Sequence, residues 1–203
     1  MNYAYFFLKN LIFGIFIFLL FFSPFSAMAI EEPSYNLILS QEPFELRDYD
    51  EFIVAETYLN GSFDTASRKG FRRVASYIFG GNIGLDGKSE KIQMTAPVTV
   101  TPVDEEWILH FVMPKNYNIS DLPIPNDSNV KIRKVERHYA AVIVFSGWTT
   151  DSKIRKKTDQ LKDWIAYKNY KINGPVQVAR YNDPFTIPWL RRNEIILKVT
   201  EIK

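Results

Sequence analysis

Arg68, Phe71, Arg72 and Ala75 follow one another at i, i+3, i+4 and i+7 inside a stretch whose apolar residues keep helical spacing. One face of that helix would carry an apolar patch edged by two guanidinium groups. Such a face suits a flat apolar ligand with carboxylates, because arginine binds a carboxylate through two parallel hydrogen bonds while rings cover the apolar surface. The plainer alternative is ordinary core packing with solvated arginines.

Other chemistry is poorly supplied. The chain has 203 residues, 46% hydrophobic and 24% charged, with no cysteine, which excludes disulfides, thiolate metal sites and thiol nucleophiles. His110 and His138 are the only histidines, too few for a zinc site of His and carboxylate at suitable spacing. Either could serve as a single haem ligand, although an ordinary strand histidine explains both. The carboxylates of residues 48–51 and 104–106 fall at a strand bend and a hairpin turn, where solvation leaves them ordinary acids. Ser146-Gly147 lacks the context of a hydrolase nucleophile. Gly80 to Lys88, GGNIGLDGK, follows a helix and precedes a strand, the reverse of a phosphate loop, and reads as a helix stop and turn. A formal charge of +2 gives no nucleic-acid footprint.

The elements that must position the arginine face come in a repeated order. PFELRDYDEFIVAETYLNGSF, from Pro43, reads as a long strand with a polar bend near Asp48 to Glu51. A helix follows over Asp64 to Phe79, with Ser62 as N-cap and Gly80-Gly81 as stop, and then strands at Lys91 to Thr101 and Trp107 to Met113. Shifting by 86 residues places Arg47 on Arg133, Asn60-Gly61 on Ser146-Gly147, and the first helix on one beginning near Thr150. Strands near Val176 to Tyr181 and Glu194 to Ile202 complete a second β-α-β-β unit. The expectation is one α+β domain with pseudo-two-fold symmetry, its antiparallel sheets forming a distorted barrel flanked by two helices. The proline-rich stretch Pro114 to Asn129 joins the halves.

Residues 1–29 stand apart. Lys9 is their only charge, Leu11 to Phe22 is continuously apolar, and Ala27-Met28-Ala29 offers a small-residue cleavage pattern. This reads as a secretory signal, placing residues 30–203 outside the cytoplasm as a periplasmic or secreted domain. A retained segment of this length would instead be a membrane anchor, the only membrane contact the sequence suggests.

The chain resembles the SOUL haem-binding protein family in YNLILSQEPFELRDYDEFIVAET, FRRVASYIFGGN, KIQMTAPVTV, HFVMPKNY and YNDPFTIPWLRRNEI, which together span nearly all of residues 35–200. The resemblance implies a non-enzymatic carrier or buffer for haem and related tetrapyrroles, bound against the first helix and the loop before the final strand. Carried over, it adds Tyr181, Phe185 and Arg191 to Arg68, Phe71, Arg72 and Ala75. Where some members have an arginine-histidine-tyrosine run with a proposed axial histidine, this chain has Arg47-Asp48-Tyr49, and Thr186 stands near a lysine of other members. No axial ligand is therefore carried over. The doubled fold also looks like that of bacterial multidrug-sensing domains, which implies a second reading as a general effector-binding module for flat amphipathic molecules. In KIQMTAPVTV, Pro97 cannot donate to a ladder and calls for an edge or bulge.

Overall fold

The computed structural model describes residues 30–201, and the expected signal segment at residues 1–29 lies outside them. β1 (Tyr35–Gln41) and β2 (Phe44–Tyr49) form a hairpin, and β3 (Phe52–Leu59) continues the run after the bend at Asp50-Glu51. Helix α1 (Phe63–Ile78), the short β4 (Asn82–Ile83) and the hairpin of β5 (Val98–Val103) with β6 (Glu106–Val112) complete the first unit. The linker contributes β7 (Ile124–Pro125), paired with β4. The second unit holds β8 (Lys131–Val135), β9 (His138–Phe145), α2 (Asp151–Tyr167), β10 (Tyr170–Ile172), β11 (Gln177–Arg180), a 3-10 turn at Pro188–Leu190, and β12 (Asn193–Glu201).

The main sheet is antiparallel and runs β1-β2-β9-β12-β11-β5-β6-β3-β8, with β10 added beside β12. Apart from β1 and β10, that order is a palindrome of the two units. β3 recurs as β9 exactly 86 residues later, Phe52 matching His138 and Leu59 matching Phe145. The shift drops to 78 at β5 and β11, where Val100 sits opposite its own counterpart Val178 and marks the pseudo-two-fold axis. The drop arises before β11, where residues 168–176 do what residues 79–97 do in the first unit, and the connection after β11, residues 181–192, reverses it by being much longer than the two-residue turn after β5. A single register pairs both bent strands: Tyr49 lies opposite His138 and Phe52 opposite Val135. The two expected sheets are thus one continuous sheet, curled into a half-barrel.

Both helices start by the same local chemistry. Ser62 Oγ accepts from the Thr65 amide at 3.4 Å, and Thr150 Oγ1 accepts from the Lys153 amide at 3.3 Å. Each N-cap follows a glycine with positive φ, Gly61 at 110° and Gly147 at 94°, a conformation that other residues rarely adopt. α1 packs on β3, β5 and β6, and α2 on β9, β10 and β12, all on one face of the sheet. There the core joins Leu59, Val74, Ile78, Leu109 and Phe111 to Leu46, Ile143, Leu161, Ile165 and Ile195. Residues from both units thus share one hydrophobic core of the kind on which a domain folds.

The strand expected from Lys91 begins only at Val98. The preceding stretch is tied instead to the chain's beginning: the Ala96 amide donates to Glu31 O at 2.8 Å, and Thr95 Oγ1 donates to Val112 O. Pro97, after a cis peptide bond, stands at the entrance to β5, where no ladder bond is asked of it.

Candidate functional site

On the helix-covered face, α1 and the sheet leave a shallow apolar groove lined by Phe71, Val74, Ala75, Ile78, Phe79, Met94, Leu109 and Phe111. Phe71, Phe79 and Met94 remain substantially exposed in it. Arg68 and Arg72 are exposed on the same helix, and neither has an ion-pair or hydrogen-bond partner among the described residues. The structure thus brings Phe71 and Ala75 together in one groove with two free guanidinium groups on the same helix.

The other expected residues belong to the connection before β12. Phe185 is 95% exposed. Arg191 donates to Thr186 O at 2.8 Å and Pro184 O at 2.7 Å and lies over the Trp148 ring at 4.3 Å, so its guanidinium holds the loop. Tyr181 turns to the opposite, inner face of the sheet and donates its hydroxyl to Glu194 at 2.7 Å. Burial, with the Glu194 charge close by, raises that phenol well above its ordinary range.

Glu194 is the hub of an inner-face network that reaches across 147 residues of chain, beyond any local spacing. Arg47 donates to both its oxygens at 2.9 and 3.0 Å, and Arg192 reaches Oε1 from two nitrogens at 3.0 and 2.8 Å. Arg192 also holds Glu32 of the N-terminal segment at 2.9 and 3.0 Å. Burial by itself would raise the Glu194 carboxyl, but the hydrogen bonds and charge of Arg47, with Arg192 and Tyr181, outweigh it and keep the group below the ordinary carboxylate value. Beside Arg47, Asp48 is buried against Arg137, so the position between Arg47 and Tyr49 holds an ion-paired carboxylate.

Neither histidine faces the groove. His110 lies on the inner face of β6, buried, and desolvation followed by the charges of Arg133 and Lys198 pushes its pKa down to about 3. His138 stacks on Tyr49 at 5.5 Å, its Nδ1 2.7 Å from Glu136 O. Among the described residues no cluster of metal ligands occurs. Toward haem the groove offers apolar lining for the ring and in Met94 a thioether, the one lining atom of a kind that ligates haem iron, with two guanidinium groups on the same helix for carboxylates.

A roomier cavity of about 470 Å³ opens elsewhere, under the linker. Phe52, Ile53, Val112, Met113 and Ile119 form its apolar wall, and Glu32, Asp50, Glu51, Lys115 and Lys134 its polar rim. Its size is that of a small-molecule site. Four segments distant in sequence build it, three of them tied by the Lys115 amide on Glu31 Oε1 at 2.7 Å and the Asp50 amide on Ser34 O at 3.1 Å. No spacing within one segment could have announced it.

The architecture is a doubled β-α-β-β half-barrel with an apolar groove along one helix. The chain belongs to the SOUL heme-binding protein family, whose model matches residues 30–198. No curated protein matches in sequence. The fold is shared with the C-terminal domain of EcmrR, at 14% identity and a TM-score of 0.59, over 83% of this chain and 99% of that one. It is shared also with a hydrolase from Listeria innocua, at 12% identity and a TM-score of 0.56, over 80% and 94%. EcmrR in complex with DNA matches at 12% identity and a TM-score of 0.60, over 78% of this chain and 57% of that one.

Proposed function

We propose that this chain is a non-enzymatic carrier or buffer for haem or a related tetrapyrrole, acting outside the cytoplasm. The observation that carries the reading is the α1 groove: an apolar strip with Arg68 and Arg72 unpartnered on the same helix, in a member of a heme-binding family. Rings cover the macrocycle's face while guanidinium groups take its carboxylates. The carrier reading is supported by the placement of the histidines, one buried among strands and one stacked on Tyr49. The hydrolase and the DNA complex share only the fold at these identities.

Export is supported by the apolar run Leu11 to Phe22 followed by Ala27-Met28-Ala29. N-terminal sequencing of the exported protein should begin at Ile30, and an intact Met1 in the membrane fraction would overturn it.

The decisive experiment is a hemin titration of residues 30–203, run beside protoporphyrin and cationic dyes. Saturable binding of hemin and protoporphyrin in preference to dyes is expected. Equal binding of all would favour the second reading, a general effector-binding module, for which the linker cavity with its mixed rim of acids and lysines is the specific support.

A further inference from the structure

The connection between β11 and β12 holds its largest apolar side chains out in water. Phe185 is 95% exposed, Trp189 72%, Leu190 64% and Ile187 46%; Trp148, in the connection from β9 to α2, is 60% exposed. The two connections are joined, because the Gly147 amide donates to Pro188 O at 2.8 Å and Asn193 Nδ2 donates to Gly147 O at 2.9 Å. Together they form one apolar patch, of a kind that monomeric soluble proteins seldom show without a partner.

The patch is also ordered. The Asp183 carboxylate accepts from the amides of Phe185 at 2.7 Å and Thr186 at 3.1 Å, and Arg191 clamps two carbonyls of the loop while covering Trp148. A loop with this many internal bonds presents its apolar residues in a fixed outward pose. Tryptophan held outward in this way favours the boundary between water and lipid, where an amphipathic ring satisfies both sides.

Charge selects the occupant. Directly after Trp148, residues 149–157 carry Lys153, Arg155, Lys156 and Lys157 against the single acid Asp151. Arg155 and Lys156 are exposed on the first turns of α2 and have no ion-pair partner among the described residues. A second copy of the chain in a two-fold contact would set these cations against themselves. An acidic bilayer surface would meet both features at once.

We propose that this end of the domain docks on an anionic lipid bilayer, with Trp148, Trp189 and Leu190 entering the headgroup region and the first turns of α2 facing the acidic headgroups. The inference stands apart from tetrapyrrole binding. Phe185 belongs to both and is left unchanged in the test.

Residues 30–203 would be sedimented with phosphatidylcholine vesicles with and without phosphatidylglycerol, following tryptophan fluorescence in parallel. Binding to the anionic vesicles, a blue shift, and release by salt are expected. Trp189→Ser with Leu190→Ser should weaken partitioning at least tenfold, roughly the loss of two buried apolar side chains. Arg155→Glu with Lys156→Glu should weaken it too, leaving a residue of binding that salt no longer affects. All these positions are exposed, and matching thermal unfolding with an unchanged far-ultraviolet circular dichroism spectrum would show that the fold persists. The proposal is overturned if the unaltered domain stays in the supernatant, if both variants sediment as it does, or if sizing shows a dimer that the Trp189 and Leu190 changes dissolve.

Discussion

Arg47 of β2 and Glu194 of β12 meet inside the half-barrel through two hydrogen bonds of 2.9 and 3.0 Å, with side chains only 1% and 0% exposed. A buried pair of this kind adds little net stability as a pair, yet removing one partner strands the other charge. Arg47→Met should therefore lower unfolding stability by about 3 kcal/mol, at the low end for such losses because Arg192 still holds Glu194. Arg47→Met combined with Glu194→Leu should recover much of that loss. Urea denaturation of the unaltered chain, both single variants and the double variant tests the coupling, and additive losses would contradict it.

His110 makes stability depend on pH. Its folded pKa of about 3 lies below the unfolded value of about 6.5, so the neutral ring contributes stability that is fully present above the unfolded value. Acid must then withdraw it as the pH falls from about 6.5 toward 3, at a slope of about 1.4 kcal/mol per pH unit for one proton. Denaturation midpoints across that window should fall steeply, and less steeply in His110→Gln. Glu194, held below its ordinary value by Arg47, adds its own loss only below the usual carboxylate range. An unchanged slope in the His110 variant would show that other groups drive the acid response.

The doubling was legible because it is written twice in the pattern: an Asn60-Gly61 or Ser146-Gly147 step, an N-cap, then an amphipathic helix, at one offset. Phe52 and His138, equivalent positions of the two units, become neighbours in the fold, their rings 6.3 Å apart across the bent strands. Periodicity reports which residues share a face and is silent on which strands become neighbours. The Arg47–Glu194 bridge spans 147 residues, and the linker cavity draws on four separated segments, so neither could be seen. Lys91 to Ala96 looked like strand because its alternation is correct, but its hydrogen bonds go to the N-terminal segment and to Val112. Tyr181 and Arg191 were grouped with α1 through family likeness, whereas their polar atoms bond within their own loop and to Glu194.

Gly70 lets α1 lie flush on the sheet. A Cβ there would come within 2.5 Å of Leu59 Cδ1 and 2.9 Å of Leu109 Cβ. The first neighbour can swing aside and the second cannot, being fixed to the β6 backbone. Gly70→Ala should thus destabilise by about 1–3 kcal/mol despite alanine's better helix propensity, through overpacking under the helix that carries Arg68 and Arg72. A rise in melting temperature would show that the helix can move away without loss.

Hemin affinity should depend on Arg68 and Arg72 and not on either histidine. The arginines are exposed on the helix that lines an apolar groove, while His110 lies buried on the opposite face of the same sheet, so one ligand should not touch both. His138 sits at the bend of the long strands with Nδ1 engaged by Glu136 O. Because both guanidinium groups are exposed, water and salt reduce each carboxylate contact to about 1 kcal/mol or less, and losing the two together should weaken binding about tenfold. The same loss should shrink at high ionic strength, where the unaltered domain also binds less tightly. Titrations following the Soret band would compare Arg68→Ala with Arg72→Ala, His110→Ala and His138→Ala. The reading fails if one histidine change abolishes the band while the double arginine change leaves affinity intact, since the iron would then be held from a position that the groove does not reach.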